Sequence, residues 1–203
     1  MKIICVGLNY RKHAAEMGRP LPQEPMIFLK PDSALLKKNK PFFLPDFSKN
    51  LQFEAEIVLR ISKLGKGIAA KYAHRYYDAL TVGIDFTARD LQHRFSQAGH
   101  PWELSKTFDG SAPIGTFLPA ERFVNHADIG FTLEVNGEVR QEGNTSDLIF
   151  GFSEIIEYVS GYYTLKTGDI IFTGTPSGVG QVRKGDNLVA RMAGETVLDF
   201  FVR

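Results

Sequence analysis

Eight short apolar or alternating runs, at 3–8, 26–29, 53–61, 129–135, 139–141, 169–173, 187–192 and 196–202, recur along the chain with turn-forming residues between them. Runs of this length with a period of two are strands, so their number commits the chain to sheet far more than to helix. The sharpest turn is "VNGEV" at 135–139, where Asn136-Gly137 separates two alternating segments. A two-residue hairpin needs positive φ at both central positions, and Asn-Gly accepts it. A second hairpin is expected at Gly194. Three helices are expected besides. The first covers 10–17, with Asn9 as N-cap and Gly18 followed by Pro20 as its stop. The second follows Thr87, where Thr87-x-x-Asp90 has the spacing of a capping box. The third covers 153–162, in which Ile155, Ile156 and Val159 recur at helical spacing. The expected fold class is α+β and β-rich, not a regular βαβ alternation, and 203 residues form one domain over 1–203.

Composition narrows the function classes. A hydrophobic share of 43% and a charged share of 23% are those of a soluble globular protein. A net charge of +1 gives no electrostatic reason for a nucleic-acid or anionic-membrane partner. Cys5 is alone and lies in the apolar run "IICVGL", so it closes no intrachain disulfide and reads as a buried, inert thiol in a reducing cytoplasm. The N-terminal apolar stretch is too short for a signal h-region or a spanning helix.

The chemistry-bearing residues begin in "NLQFEAEIVLRI" at 50–61. Strand geometry puts Glu54 and Glu56 on one face about 7 Å apart, with Phe53, Ala55, Ile57, Leu59 and Ile61 on the other. Taken alone, the pair fits an exposed sheet face at least as well as a site. Asp85 ends an apolar strand just before a helix, where it serves either a site or a helix cap. Three carboxylates without cysteine suit a hard divalent cation, Mg²⁺ or Mn²⁺, rather than zinc. In "NYRKHAAEMG", His13 and Glu16 are three apart on a short helix and share a face, the arrangement of a carboxylate-oriented general base and equally of an ordinary solvated helix. Lys106 lies in a polar, glycine-containing loop, where a lone lysine is by default exposed. Arg89 and Gln92 lie one turn apart on the second helix. "TGTPSGVG" at 173–180 is a glycine-rich turn whose N–H groups can line an anion-binding concavity, but it lacks the residues of a nucleotide-binding loop.

Taken in order, "VGLNY" with its following His-Ala-Ala-Glu, "IFLKP", "FEAEIVL", "GIDFTARDLQ", Trp102-x-Leu104-Ser105-Lys106, "VNGEVRQEG" and "DIIFTGTPSGVG" resemble the fumarylacetoacetate hydrolase family, in its short branch of acylpyruvate hydrolases and oxaloacetate decarboxylases. The resemblance spans about 3–203. It implies a mixed β-sandwich or β-roll with a few peripheral helices, assembled as a homodimer. It also implies that Glu54, Glu56 and Asp85 hold Mg²⁺ or Mn²⁺, that His13, Glu16 and Lys106 are catalytic, and that Arg89, Gln92 and Thr175 contact substrate. The implied reaction is hydrolytic carbon–carbon cleavage of a 2,4-diketo acid of acylpyruvate type through a metal-held pyruvate enolate. Oxaloacetate decarboxylation and dienoate isomerisation or hydration are the alternatives at the same site, and a catalytically silent metal-binding scaffold is the alternative of another class. The extra N-terminal domain of larger members is absent, which argues against fumarylacetoacetate itself as substrate.

Overall fold

The computed structural model describes residues 1–37 and 39–203. In chain order the strands are β1 (Ile3–Gly7), β2 (Met26–Lys30), β3 (Leu35–Leu36), β4 (Leu51–Phe53), β5 (Ala55–Ile61), β6 (Tyr77–Ile84), β7 (Thr87–Ala88), β8 (Ala112–Pro113), β9 (Leu118–Pro119), β10 (Gly130–Val135), β11 (Glu138–Asn144), β12 (Ile170–Phe172), β13 (Gly180–Gln181), β14 (Asn187–Met192) and β15 (Glu195–Phe201). The α-helices are α1 (Arg11–Glu16), α2 (Arg89–Gln97) and α3 (Phe152–Tyr162). A six-stranded sheet in the order β2-β1-β12-β5-β6-β9 faces a four-stranded one in the order β11-β10-β14-β15, with two smaller sheets, β13-β4-β7 and β3-β8, at the margins. β1 pairs with β12 in parallel and the other contacts of the large sheets are antiparallel, so the fold is the expected β-rich, mixed α+β. Among the described residues no helix is long and apolar enough to cross a membrane.

The core lies between the two large sheets. Ile57, Leu59 and Ile61 of β5 and Leu80 and Val82 of β6 join Leu133, Leu188, Ala190, Leu198 and Phe200 of the four-stranded sheet. Each such side chain removed from water contributes about 1.5–3 kcal/mol. The opposite face of the six-stranded sheet is covered as well: Cys5, Val58, Ile170 and Phe172 pack with Ala34, Ala112 and Ile114 of the segments that cross it. Gly83 belongs to this second layer, since a Cβ there would lie 2.6 Å from the Phe172 ring and 2.9 Å from Val58.

The hairpin turns match the turn chemistry. Asn136 and Gly137 have φ of 55° and 81°, and the second turn uses Ala193 and Gly194 at 48° and 82°. Three expectations need correction. Asn9 does not cap α1, whose N-cap is Tyr10; its buried amide instead donates to the carbonyls of Phe150 and Thr173 and accepts from the Phe150 N–H. Thr87 and Asp90 form no capping box. Thr87 donates to the Asp85 carbonyl, while Asp90 accepts from Ser48 Oγ and the Lys49 and Leu91 N–H groups. The run 53–61 is two strands, β4 and β5, broken at Glu54. β6, which lies outside all eight runs and of which only the end before Asp85 is expected as strand, lies within the larger sheet between β5 and β9.

Candidate active site

The carboxylates follow from the register of β5 and β6, in which Ala55 faces Ile84 and Glu56 faces Gly83. One step further the same register sets Glu54 against Asp85, whose N–H donates to the Glu54 carbonyl at 2.8 Å. Period-two alternation then turns Glu54, Glu56 and Asp85 to the face away from the inter-sheet core. All three are buried, and one oxygen from each lies within 4.8 Å of the others. The face holding the glutamates is therefore covered rather than solvated.

Three cations enter the same pocket of charge. Lys106 is buried, not a surface lysine, and its Nζ donates to Glu54 Oε2 and Asp85 Oδ2, each at 2.7 Å. Arg89 donates to Glu54 Oε1, Gln92 Oε1 and Gln52 Oε1. The third, Lys30, was not anticipated. It ends β2 with its side chain fully buried and Nζ 2.8 Å from Asp85 Oδ1. Lys30 aims its N–H groups at the Lys106 carbonyl and at Ser111 O and Oγ, so Asp85 Oδ1 has a charge contact but no hydrogen bond. The available sequence signal was a charged residue closing the apolar run "MIFLK", which marks an exposed strand end just as often.

These surroundings separate the acidities. Burial opposes ionisation of Glu54, but Lys106, Arg89 and His13 outweigh it and hold the carboxyl well below the usual carboxylate range. Burial together with neighbouring Asp85 and Glu54 pushes Glu56 well above that range, offset only in part by the Gly174 N–H donating at 2.6 Å. Burial also opposes the Lys106 charge, yet Asp85 and Glu54 raise its pKa above that of an ordinary lysine. Cys5, beneath this cluster, is buried as expected, and burial raises its thiol pKa.

α1 carries the remaining pair. His13 is buried with Nδ1 3.0 Å from Glu16 Oε2, while Glu16 Oε1 accepts from the Gly178 N–H at 3.1 Å. The glycine-rich turn after β12 thus spends the N–H groups of Gly174 and Gly178 on the protein's own Glu56 and Glu16, not on a ligand anion. Thr175, between them, accepts at Oγ1 from the amide of buried Gln141. A cavity of about 580 Å³ is lined by His13, Glu54, Glu56, Asp85, Arg89, Gln92, Lys106 and Thr175. Glu16, the ninth expected residue, reaches it through His13.

The donor set suits a hard divalent ion: three convergent carboxylates, no sulfur ligand among the described residues, and a buried Asp85 oxygen lacking a hydrogen bond. Three carboxylates against three cations leave the cluster formally neutral before any metal enters.

Comparison with known proteins gives a consistent family. The family described as fumarylacetoacetate (FAA) hydrolase C-terminal matches residues 2–202. The chain is 40% identical over 200 residues to the mitochondrial oxaloacetate tautomerase FAHD1 of Bos taurus, across 98% of this chain and 90% of that protein. It is 38% identical over 197 residues to the oxaloacetate tautomerase YcgM of Escherichia coli K12, across 97% and 90%. The crystal structure of fumarylpyruvate hydrolase from Pseudomonas aeruginosa in complex with Mn²⁺ and pyruvate superposes with a TM-score of 0.93 at 38% identity, over 100% of this chain and 89% of that one.

Proposed function

Because this chain belongs to the fumarylacetoacetate hydrolase family, we propose that it is a divalent-cation-dependent enzyme that cleaves a carbon–carbon bond in 2,4-diketo acids of acylpyruvate type. The observation that carries the reading is the convergence of Glu54, Glu56 and Asp85 in one cavity with His13 and Lys106. Glu54, Glu56 and Asp85 would hold Mg²⁺ or Mn²⁺, which when bound supplies Lewis-acid polarisation of the substrate's carboxylate and keto oxygens.

The chain's own residues supply the proton transfers. Glu16 accepts from His13 Nδ1–H, which leaves Nε2 as the base. His13 takes a proton from water as the water oxygen bonds to the distal carbonyl carbon. The bond from that carbon to C3 then breaks, its electrons pass into the pyruvate enolate, and the proton returns to C3. Lys106 has three protons and donates two of them to carboxylates, leaving one for the developing enolate oxygen. A donor so placed is typically worth about 3–4 kcal/mol in the transition state. Arg89, Gln92 and Thr175 orient the acid.

A second reading draws on charge. With the cluster neutral in itself, a divalent ion leaves an excess of two positive charges, which a dianion such as oxaloacetate matches better than a monoanion does. Decarboxylation of oxaloacetate breaks the bond between C3 and C4, releases CO₂ and reaches the same pyruvate enolate without a nucleophilic water, while its tautomerisation needs only proton transfer between C3 and the 2-keto oxygen. The named relatives, two oxaloacetate tautomerases and a fumarylpyruvate hydrolase, agree with both readings. His13→Ala separates them. We expect acylpyruvate hydrolysis to fall about 10²–10⁴-fold with oxaloacetate decarboxylation reduced far less. Equal loss of both activities would contradict the role of His13 as water activator, and full retention of hydrolysis would remove it from the chemistry.

A further inference from the structure

Gln141 does not line the cavity, yet its buried amide touches both halves of what surrounds it. Its Oε1 accepts from the Ala55 N–H at 2.9 Å, and its Nε2 donates to Thr175 Oγ1 and to the Pro176 carbonyl, each at 2.9 Å. Ala55 lies between Glu54 and Glu56, at the break between β4 and β5. Gln141 is aimed there by a bulge in β11, where the pairing with β10 shifts between Gln141 and Val139. The glycine-rich turn lies against β11 closely enough that a Cβ on Gly178 would meet the Arg140 carbonyl oxygen at 2.4 Å, and one on Gly143 would meet Pro176 at 3.0 Å.

The amide has one consistent orientation. Ala55 offers only an N–H and Pro176 only a carbonyl, so oxygen must face Ala55 and nitrogen must face the turn. Both amide protons are then committed, one of them to Thr175 Oγ1. That hydroxyl is an acceptor toward Gln141, and its own proton has no partner among the described residues. Thr175 lines the cavity.

We propose that Gln141 is a positioning residue that fixes the Thr175 hydroxyl as a hydrogen-bond donor toward an anionic oxygen of the bound keto acid, while pinning the strand break that carries Glu54 and Glu56. The inference rests on the function proposed above. Gln141→Glu tests it because a carboxylate still accepts from Ala55 but has no proton for the Pro176 carbonyl or for Thr175 Oγ1, so it draws the Thr175 proton toward itself and reverses the hydroxyl.

The probe is oxalate, an enolate mimic, titrated into the Mn²⁺-loaded protein, with Mn²⁺ affinity measured separately by electron paramagnetic resonance. Gln141→Glu is expected to weaken oxalate binding about tenfold or more with Mn²⁺ affinity unchanged. Thr175→Val should weaken it equally, and the double variant should be no weaker than either single one. Unchanged oxalate binding, or single losses that multiply in the double variant, would overturn the assignment. Should Gln141→Glu not fold, Thr175→Val decides alone, because wild-type oxalate affinity in that variant removes the donor and the role of Gln141 with it. Wild-type protein that takes up neither Mn²⁺ nor oxalate would instead sink the proposed function, and this inference falls with it.

Discussion

On the odd-numbered side of β5, Ile57, Leu59 and Ile61 meet the four-stranded sheet; on the even-numbered side Glu56, with Glu54 just before the strand, converges with Asp85, while Lys106 pairs with Glu54 and Asp85, and Lys30 with Asp85. The two sides are buried to a similar degree, with Leu59 at 0% and Glu56 at 2% exposure, but different physics holds them. Apolar burial is favourable residue by residue, so the odd side tolerates any well-packed substitute. A buried charge is stable only with its partners, so the even side stands or falls as a set. Burial therefore does not separate core from site here, whereas the balance of charges does.

The comparison can be broken in order of expected effect. Lys106→Met leaves Glu54 and Asp85 facing each other without their shared cation, which should destabilise the fold by about 3–5 kcal/mol in urea unfolding. The same change should lower kcat about 10²–10³-fold through loss of the oxyanion donor. Leu59→Ala should cost about 2–5 kcal/mol. Its kinetics should stay wild-type at temperatures where it is folded, and a kcat lowered as strongly as in Lys106→Met would erase the distinction between the two sides.

Glu56→Gln should do the reverse and stabilise the metal-free protein by on the order of 1 kcal/mol. Burial and the neighbouring carboxylates raise the Glu56 pKa in the folded state. The ionised form therefore penalises folding above that raised pKa, and the penalty fades as pH falls through it toward the ordinary carboxylate range. The gain in melting temperature from Glu56→Gln should accordingly grow as pH rises from the ordinary carboxylate range toward the raised pKa, and shrink on acidification. A gain that grows on acidification would contradict this.

Much of the architecture was legible because it rests on local rules. Asn136-Gly137 dictates its hairpin through φ alone, and Ile155, Ile156 and Val159 mark the buried stripe of α3. The shared face of Glu54 and Glu56 follows from period two. What escaped depends on partners distant in sequence. Lys30 is buried because Asp85, 55 positions later, faces it. The break at Glu54 is tied to Gln141, whose amide takes the Ala55 N–H from 86 positions away. Asn9 had a local option as a helix cap, and a tertiary one, to Phe150 and Thr173, prevailed. Of β6 only the apolar end before Asp85 was legible; its earlier part carries Asp78, a poor strand former by propensity, and Gly83 within the strand is required by the ring of Phe172.

The central claim is that three buried carboxylates form one cation site on the charged side of β5. Its most direct test is a Mn²⁺ titration followed by electron paramagnetic resonance, on wild type and on Glu56→Gln in parallel. The account predicts one ion per chain in the wild type and loss of that ion in a variant that is nevertheless at least as stable without metal. Equal Mn²⁺ uptake by the two proteins, or none by the wild type, would contradict it.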